Sequence, residues 1–216
     1  MSAPAWIQVF LDVPAADLEP AVAFWSAVTG WRPSDRRGED GQFLTLLPAA
    51  GSAYVKVQAI DGPPGVHLDL DSTDRPGGFT FCQTLLEAEP TLARDGSTIL
   101  DQVCLDVPAV HWDAEVAFWA ALTGREPQTG SLPEFVRLVQ DERLRLLLQR
   151  LDEPDGPVRA HPDLASADRA ADTQRHVALG ATVAGVHDFW TVLTAPGGQV
   201  YCLTDRDPAA GAVRPV

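Results

Sequence analysis

Lysine is almost missing from this 216-residue chain: Lys56 stands alone, and 16 basic residues face 30 acidic ones. The formal net charge of −14 repels phosphate backbones and anionic lipid, so neither nucleic acid nor a membrane surface is an expected partner. No run of about 18 apolar residues occurs, so no transmembrane helix is expected. The start, Met1-Ser2-Ala3-Pro4-Ala5, has no basic segment followed by an apolar one, which argues against a signal peptide and for a cytoplasmic protein. Cysteine is scarce and odd in number. Cys82, Cys104 and Cys202 are scattered, which reads as reduced thiols and not as a disulfide framework or a CxxC metal knuckle. There is no GxSxG elbow, no GxxxxGK[ST] phosphate loop and no HExxH. What is present is a 45% hydrophobic content with 21% charged residues, enough to bury a core and too apolar for a disordered acidic chain.

The dominant feature is an internal repeat, the signal that fixes architecture before any other. Gln8-Val9-Phe10-Leu11-Asp12-Val13-Pro14-Ala15 returns as Gln102-Val103-Cys104-Leu105-Asp106-Val107-Pro108-Ala109. Val22-Ala23-Phe24-Trp25 and Thr29-Gly30 return as Val116-Ala117-Phe118-Trp119 and Thr123-Gly124. The offset is 94, with 14 identities over the 25 positions from Trp6 to Gly30. Val66-His67-Leu68-Asp69-Leu70 and Ala160-His161-Pro162-Asp163-Leu164 keep that offset. Pro76-Gly77-Gly78 and Pro196-Gly197-Gly198 are instead 120 apart, so the second copy holds 26 residues that the first lacks.

Periodicity within a copy predicts a strand over Trp6–Val13 and a helix from near Asp17 to about Val28, with Leu18, Val22 and Trp25 on one face and Gly30 as the stop. Strands follow at Phe43–Leu47 and Tyr54–Ile60. The second copy repeats the order: strand Gln102–Val107, helix Asp113–Leu122, Gly124, and strands Glu134–Val139 and Leu144–Leu151. Its extra residues predict a helix capped by Asp168, with Ala170, Thr173 and Val177 on one face, ending before Gly180. Strands at Ala181–Val186, Phe189–Thr194 and Gln199–Thr204 complete it. The expected organisation is a truncated N-terminal domain at 1–86, a linker at 87–98, a complete C-terminal domain at 99–208 and a tail at 209–216.

In this order of elements the chain resembles the vicinal oxygen chelate superfamily of glyoxalase and bleomycin-resistance proteins. The resemblance rests on Leu100-Asp101-Gln102-Val103, Ala117–Gly124, Ala160–Leu164, the phrase Ala178-Leu179-Gly180-Ala181-Thr182-Val183 and the ending Ala195–Cys202. It covers residues 99–208 well and 5–85 in part. It implies an α+β fold of tandem βαβββ modules that form cupped mixed β-sheets around a small-molecule site, with the N-terminal copy truncated.

The resemblance also implies metal-ligand positions on the first and last strands of the modules. In the second copy these fall on Gln102 and His161, near Gln149, and on Val200. In the first they fall on Gln8, His67, Gln58 and Thr80. Val200 and Thr80 stand where the superfamily's metalloenzymes usually carry Glu. Two amides and one imidazole leave a dication's charge unbalanced, so no cofactor is favoured, though a divalent metal remains the alternative. A lone strand histidine is more often structural than functional. Here both copies have one, and Asp69 and Asp163 follow two residues on, where each could orient its imidazole. Phe135, Trp190 and Tyr201 are the aromatic candidates for the pocket wall, whereas Phe24-Trp25 and Phe118-Trp119 read as core. Phe79 and Phe81 hold related positions in the shorter copy. His111, His176 and His187 read as surface residues.

The favoured expectation is a metal-independent protein that binds an organic, aromatic-type ligand in the C-terminal cup, lined by Gln102, Gln149, His161, Asp163, Phe135, Trp190 and Tyr201. One alternative is a metal-dependent lyase, isomerase or dioxygenase of the glyoxalase type. Another is a non-catalytic scaffold acting as a homodimer that covers the sheet edges left by truncation.

Overall fold

The computed structural model describes residues 6–71, 92, 98–130, 132–138 and 144–210. The first half runs β1 (Trp6–Pro14), α1 (Leu18–Thr29), β2 (Arg32–Pro33), β3 (Phe43–Leu47), β4 (Val55–Ile60) and β5 (Gly65–Asp71). The second runs β6 (Thr98–Val107), α2 (Trp112–Thr123), β7 (Pro127–Thr129), β8 (Phe135–Leu138), β9 (Arg145–Arg150) and β10 (Arg159–Ser166). It ends with α3 (Arg169–Ala178), β11 (Thr182–Val186), β12 (Trp190–Thr194) and β13 (Val200–Thr204). None of the described helices is long and apolar enough to cross a membrane.

Two mixed sheets result. The second half forms eight strands in the order β11-β12-β13-β10-β6-β9-β8-β7. Each βαβββ module contributes four strands, its first strand pairing in parallel with its last, and the modules join through antiparallel β6 and β10. The first half forms five strands in the order β2-β3-β4-β1-β5. This is one whole module plus β5, which pairs with β1 as β10 pairs with β6. The register repeats as well. Gln8 faces Asp69 as Gln102 faces Asp163, and Phe10 faces His67 as Cys104 faces His161. Side chains alternate across a strand, so a conserved register puts the duplicated residues on the same face in both sheets.

Both module helices end as the glycines require. Gly30 (φ 74°) and Gly124 (φ 66°) take left-handed conformations at the C-termini of α1 and α2, where a Cβ would be disfavoured. The helices differ in burial. Phe24 and Trp25 of α1 are buried, because α1 packs against the second half as well as its own sheet. Trp25 lies edge-on to Tyr201 at 5.2 Å and donates to Gln199 Oε1 at 3.4 Å. Phe118 and Trp119 of α2 are only half-buried. Further bonds fasten the halves: Tyr54 Oη donates to Leu100 O (2.6 Å), Thr98 Oγ1 to Val28 O (2.9 Å) and Gln199 Nε2 to Asp12 O (2.6 Å). The turn before β13 fits against α1 because Gly197 has no side chain; a Cβ there would lie 2.7 Å from the Ala21 Cβ.

The third helix differs from expectation. Asp168 caps it, accepting from the Ala171 N–H at 3.0 Å. Its buried residues, however, are Asp172 and His176, while Ala170 and Val177 are exposed. Asp172 accepts from Ser166 Oγ at 2.6 Å, and the His176 ring lies 2.9 Å from Tyr201 Oη. His176 is therefore a core residue and not a surface one. The inward face is polar, so an apolar stripe could not reveal it. Residues 72–91, including Phe79, Thr80, Phe81 and Cys82, lie outside the described residues. So does the linker apart from Leu92 and Thr98, the latter being the first residue of β6.

Candidate functional site

The concave face of the eight-stranded sheet holds a cavity of about 620 Å³, within the range of small-molecule sites. Strand alternation places its lining. Gln102 and Cys104 come from β6, Arg145, Leu147 and Gln149 from β9, His161 and Asp163 from β10, and Cys202 and Thr204 from β13. The opposite parity (Val103, Leu105, Leu146, Leu148, Leu203) goes to the hydrophobic core. Phe135 of β8 and Trp190 of β12 lie five places apart in the sheet order. Yet their rings meet edge-to-face, with centroids 5.9 Å apart at 81°. The sheet therefore curls until its two wings touch across the cup. His187 stacks on Trp190 at 4.7 Å.

The floor of the cup is a buried polar cluster centred on His161. Its Nδ1 lies 2.9 Å from Asp106 Oδ2 and its Nε2 3.4 Å from Asp163 Oδ1. Gln102 Nε2 donates to Asp163 Oδ2 at 2.6 Å. Arg206 pairs with Asp101 and lies 3.9 Å from Asp163. Burial alone would lower the proton affinity of His161, but the hydrogen bonds to Asp106 and Asp163 act against it, and its pKa is raised above the ordinary value. For Asp163 burial pulls upward, and the His161 contact with Arg206 and Gln102 prevails, so it is held low. The floor thus favours an imidazolium clasped by carboxylates. Burial pushes the Cys104 thiol up to about 12 and raises that of Cys202, so both are neutral and poor nucleophiles.

Of the seven residues expected to form the pocket, Gln102, Gln149, His161, Asp163, Phe135 and Trp190 line the cavity. Tyr201 does not. It is 0% exposed and packs on the opposite face with Trp25 and His176; its neighbours in sequence, Val200 and Cys202, have the cup parity. Of these, Cys202 lines the cavity, while Val200 is 46% exposed and does not. The last-strand position facing the cluster thus belongs to Cys202. Sequence reasoning missed Asp106, Arg137, Arg145, Arg206 and both thiols. Asp106 did leave a signal: like His161, it is duplicated at offset 94, as Asp12.

The first half carries the same arrangement in modified form. His67 Nδ1 lies 2.6 Å from Asp12 Oδ2, and its Nε2 3.6 Å from Asp69 Oδ1. Phe10, the counterpart of Cys104, stacks on the imidazole at 4.7 Å and 18°. An aromatic ring thus covers His67 where the second copy leaves room beside His161. Gln8 is buried opposite Asp69, and Gln58 faces Asp12 across β4. The metal-ligand set Gln8, Gln58 and His67 is not matched by a grouping of three close His, Cys or carboxylate donors; among the described residues, those groupings lie in the C-terminal cup.

One such grouping is His161, Asp163 and Cys202, with donor atoms within 4.8 Å of one another; the other is Cys104, Asp106 and His161. Imidazole, carboxylate and thiol are donor types that can hold a divalent ion. Carboxylates beside both nitrogens of His161 favour its proton, and burial favours that of the Cys202 thiol, so an ion would bind there in competition with protons.

A curled eight-stranded sheet of paired βαβββ modules, with polar side chains converging on its concave face, defines the vicinal oxygen chelate fold. The chain belongs to the glyoxalase-like domain family, which it matches over residues 8–88 and 102–204. It is similar to the Mn(II)-bound glyoxalase from Novosphingobium aromaticivorans at 14% identity, covering 94% of this chain and 83% of that one, with a TM-score of 0.62. It is similar to 2,2',3-trihydroxybiphenyl 1,2-dioxygenase from Sphingomonas wittichii strain RW1 at 14% identity, 94% and 90% coverage and a TM-score of 0.57. A mutant 4-hydroxymandelate synthase from Streptomyces coelicolor aligns at 13% identity, 93% and 92% coverage and a TM-score of 0.58. At these identities the likeness extends to the fold alone. No functionally curated protein matches the chain.

Proposed function

We propose that the C-terminal cup binds a small organic molecule without a resident metal ion. The observation that carries this reading is the state of His161. Its two ring nitrogens face Asp106 and Asp163 and its proton affinity is raised, so both nitrogens are directed at carboxylates and neither turns a lone pair to a cation. The walls support it. Phe135, Trp190, Phe189 and Leu147 give the cavity an apolar share suited to a flat ring system. Filling the cup should abolish binding without touching the polar floor. A compound that raises the thermal midpoint of the wild type should leave Leu147→Trp unmoved. Equal stabilisation of both proteins places binding elsewhere and removes the reading.

A second reading has its own observation, the convergence of His161, Asp163 and Cys202. In a metal-dependent enzyme of the glyoxalase type these three would hold the ion, which would polarise a substrate oxygen. Gln102 would then anchor Asp163. A rise in thermal midpoint on titration with Mn(II) or Zn(II), absent in His161→Ala, favours this second reading over the first.

A further inference from the structure

Resting on the reading of the cup as an organic-ligand site, we propose that its ligand is an aromatic carboxylate, with the anionic group on Arg137 and Arg145 and the ring against Phe135 and Trp190.

The chain is acidic, with a net charge of −14, yet three arginines line this one cavity. Their commitments differ. Arg206 is tied to Asp101 and stands near Asp163. The cavity's own carboxylates are engaged too: Asp163 by Gln102 and His161, and Asp205 by Arg169 at 3.0 Å. Arg137 stands away from that cluster on β8, and Arg145 stands on β9 beside Gln102 of β6. The register places Arg137 opposite Leu147, and Arg145 two residues before Leu147 on the same face, so the two guanidinium-bearing positions are diagonal neighbours on the concave face. Arg137 Nε is buried and has no hydrogen-bond partner among the described residues. A buried guanidinium N–H without an acceptor is costly, and a ligand carboxylate removes that cost through paired, charge-assisted bonds.

The position of the ring follows from the strand. Phe135 lies two residues before Arg137 on β8, so both side chains point into the cup. Trp190 closes over Phe135 from the other wing. A carboxylate on Arg137 therefore brings an attached ring to the aromatic pair. The acidic exterior disfavours anions at long range, while the cavity wall attracts them at contact distance, where the interaction is least screened.

The probes are 2-naphthoate and its neutral analogue 2-naphthalenemethanol, titrated calorimetrically into the full chain. The wild type is expected to bind naphthoate at least about 10-fold more tightly than the alcohol, and Arg137→Gln/Arg145→Gln to abolish that preference. Equal wild-type affinities for the two probes overturn the proposal but leave the cup as a binding site. So does a naphthoate affinity untouched in the double variant, or tighter binding of 2-naphthylmethylammonium. Binding of neither probe to the wild type overturns the proposal and counts against the cup reading as well. The comparison of probes on the wild type decides the matter even where the double variant does not fold.

Discussion

His161 Nδ1 lies 2.9 Å from Asp106 Oδ2, and 94 residues earlier His67 Nδ1 lies 2.6 Å from Asp12 Oδ2. In each half the nearest carboxylate to the imidazole comes from the neighbouring strand and not from the Asp two residues along its own strand. Asp69 and Asp163 take the second nitrogen at longer range. Asp106→Asn should therefore lower the pKa of His161 by about one unit or more, since it removes the negative charge and leaves at most a neutral amide oxygen to accept from the ring. Proton NMR titration of the ring reads this directly. An unshifted titration would mean that Asp106 does not hold the imidazolium.

The two central histidines of the second half limit stability from opposite sides. Burial, followed by nearby Arg175, lowers His176 to about 4, so the unfolded chain binds the proton more tightly. Stability from His176 is complete above its unfolded value of about 6.5 and is lost as pH falls through about 4, on the order of 3 kcal/mol at most. His161 is raised. Its contribution is present below about 6.5 and is lost as pH rises through the higher folded value. Urea melts from pH 3 to 10 should show both limbs, and His176→Gln should flatten the acid limb alone. An acid limb unchanged in that variant would contradict the assignment.

Gly197→Ala should destabilise the protein by about 1–3 kcal/mol, because the new methyl meets Ala21 and Val13 and α1 must shift to admit it. Gly65→Ala is the control, with nothing within 4 Å of its added Cβ. Equal denaturation midpoints for the two variants would show that the turn does not bear on α1.

Trp190→Ala should weaken binding of an aromatic ligand by about 1–2 kcal/mol, through loss of the edge-to-face pair with Phe135 and of apolar contact area. Isothermal titration of wild type and variant measures it. Unchanged affinity would place the ligand away from the aromatic bridge.

The fold was legible because it is duplicated. The 94-residue offset, the helix-ending Gly30 and Gly124 and the alternating strands lie within one local stretch of chain each, where periodicity speaks. The resemblance placed Gln102 and His161 in the cup, and Asp163 followed by sharing the parity of His161. Tyr201 could not be placed: parity assigns a face only once the register is known, and one residue decides between cup and core. The inward face of α3 was hidden because Asp172 and His176 are polar, and their burial depends on Ser166 and Tyr201, which the fold alone brings to them. Arg137 and Arg145 belong to no repeat or motif of the sequence, and only the sheet's curl puts them inside a cavity.

The central claim is that the cup works with a protonated His161 and no resident metal. Native mass spectrometry of the full chain, purified from metal-supplemented medium and buffered at pH 7, tests it most directly. A chain free of any one-to-one divalent ion, with a thermal midpoint that EDTA leaves in place, is the predicted result. A stoichiometric ion retained by the wild type and lost in His161→Ala would contradict it.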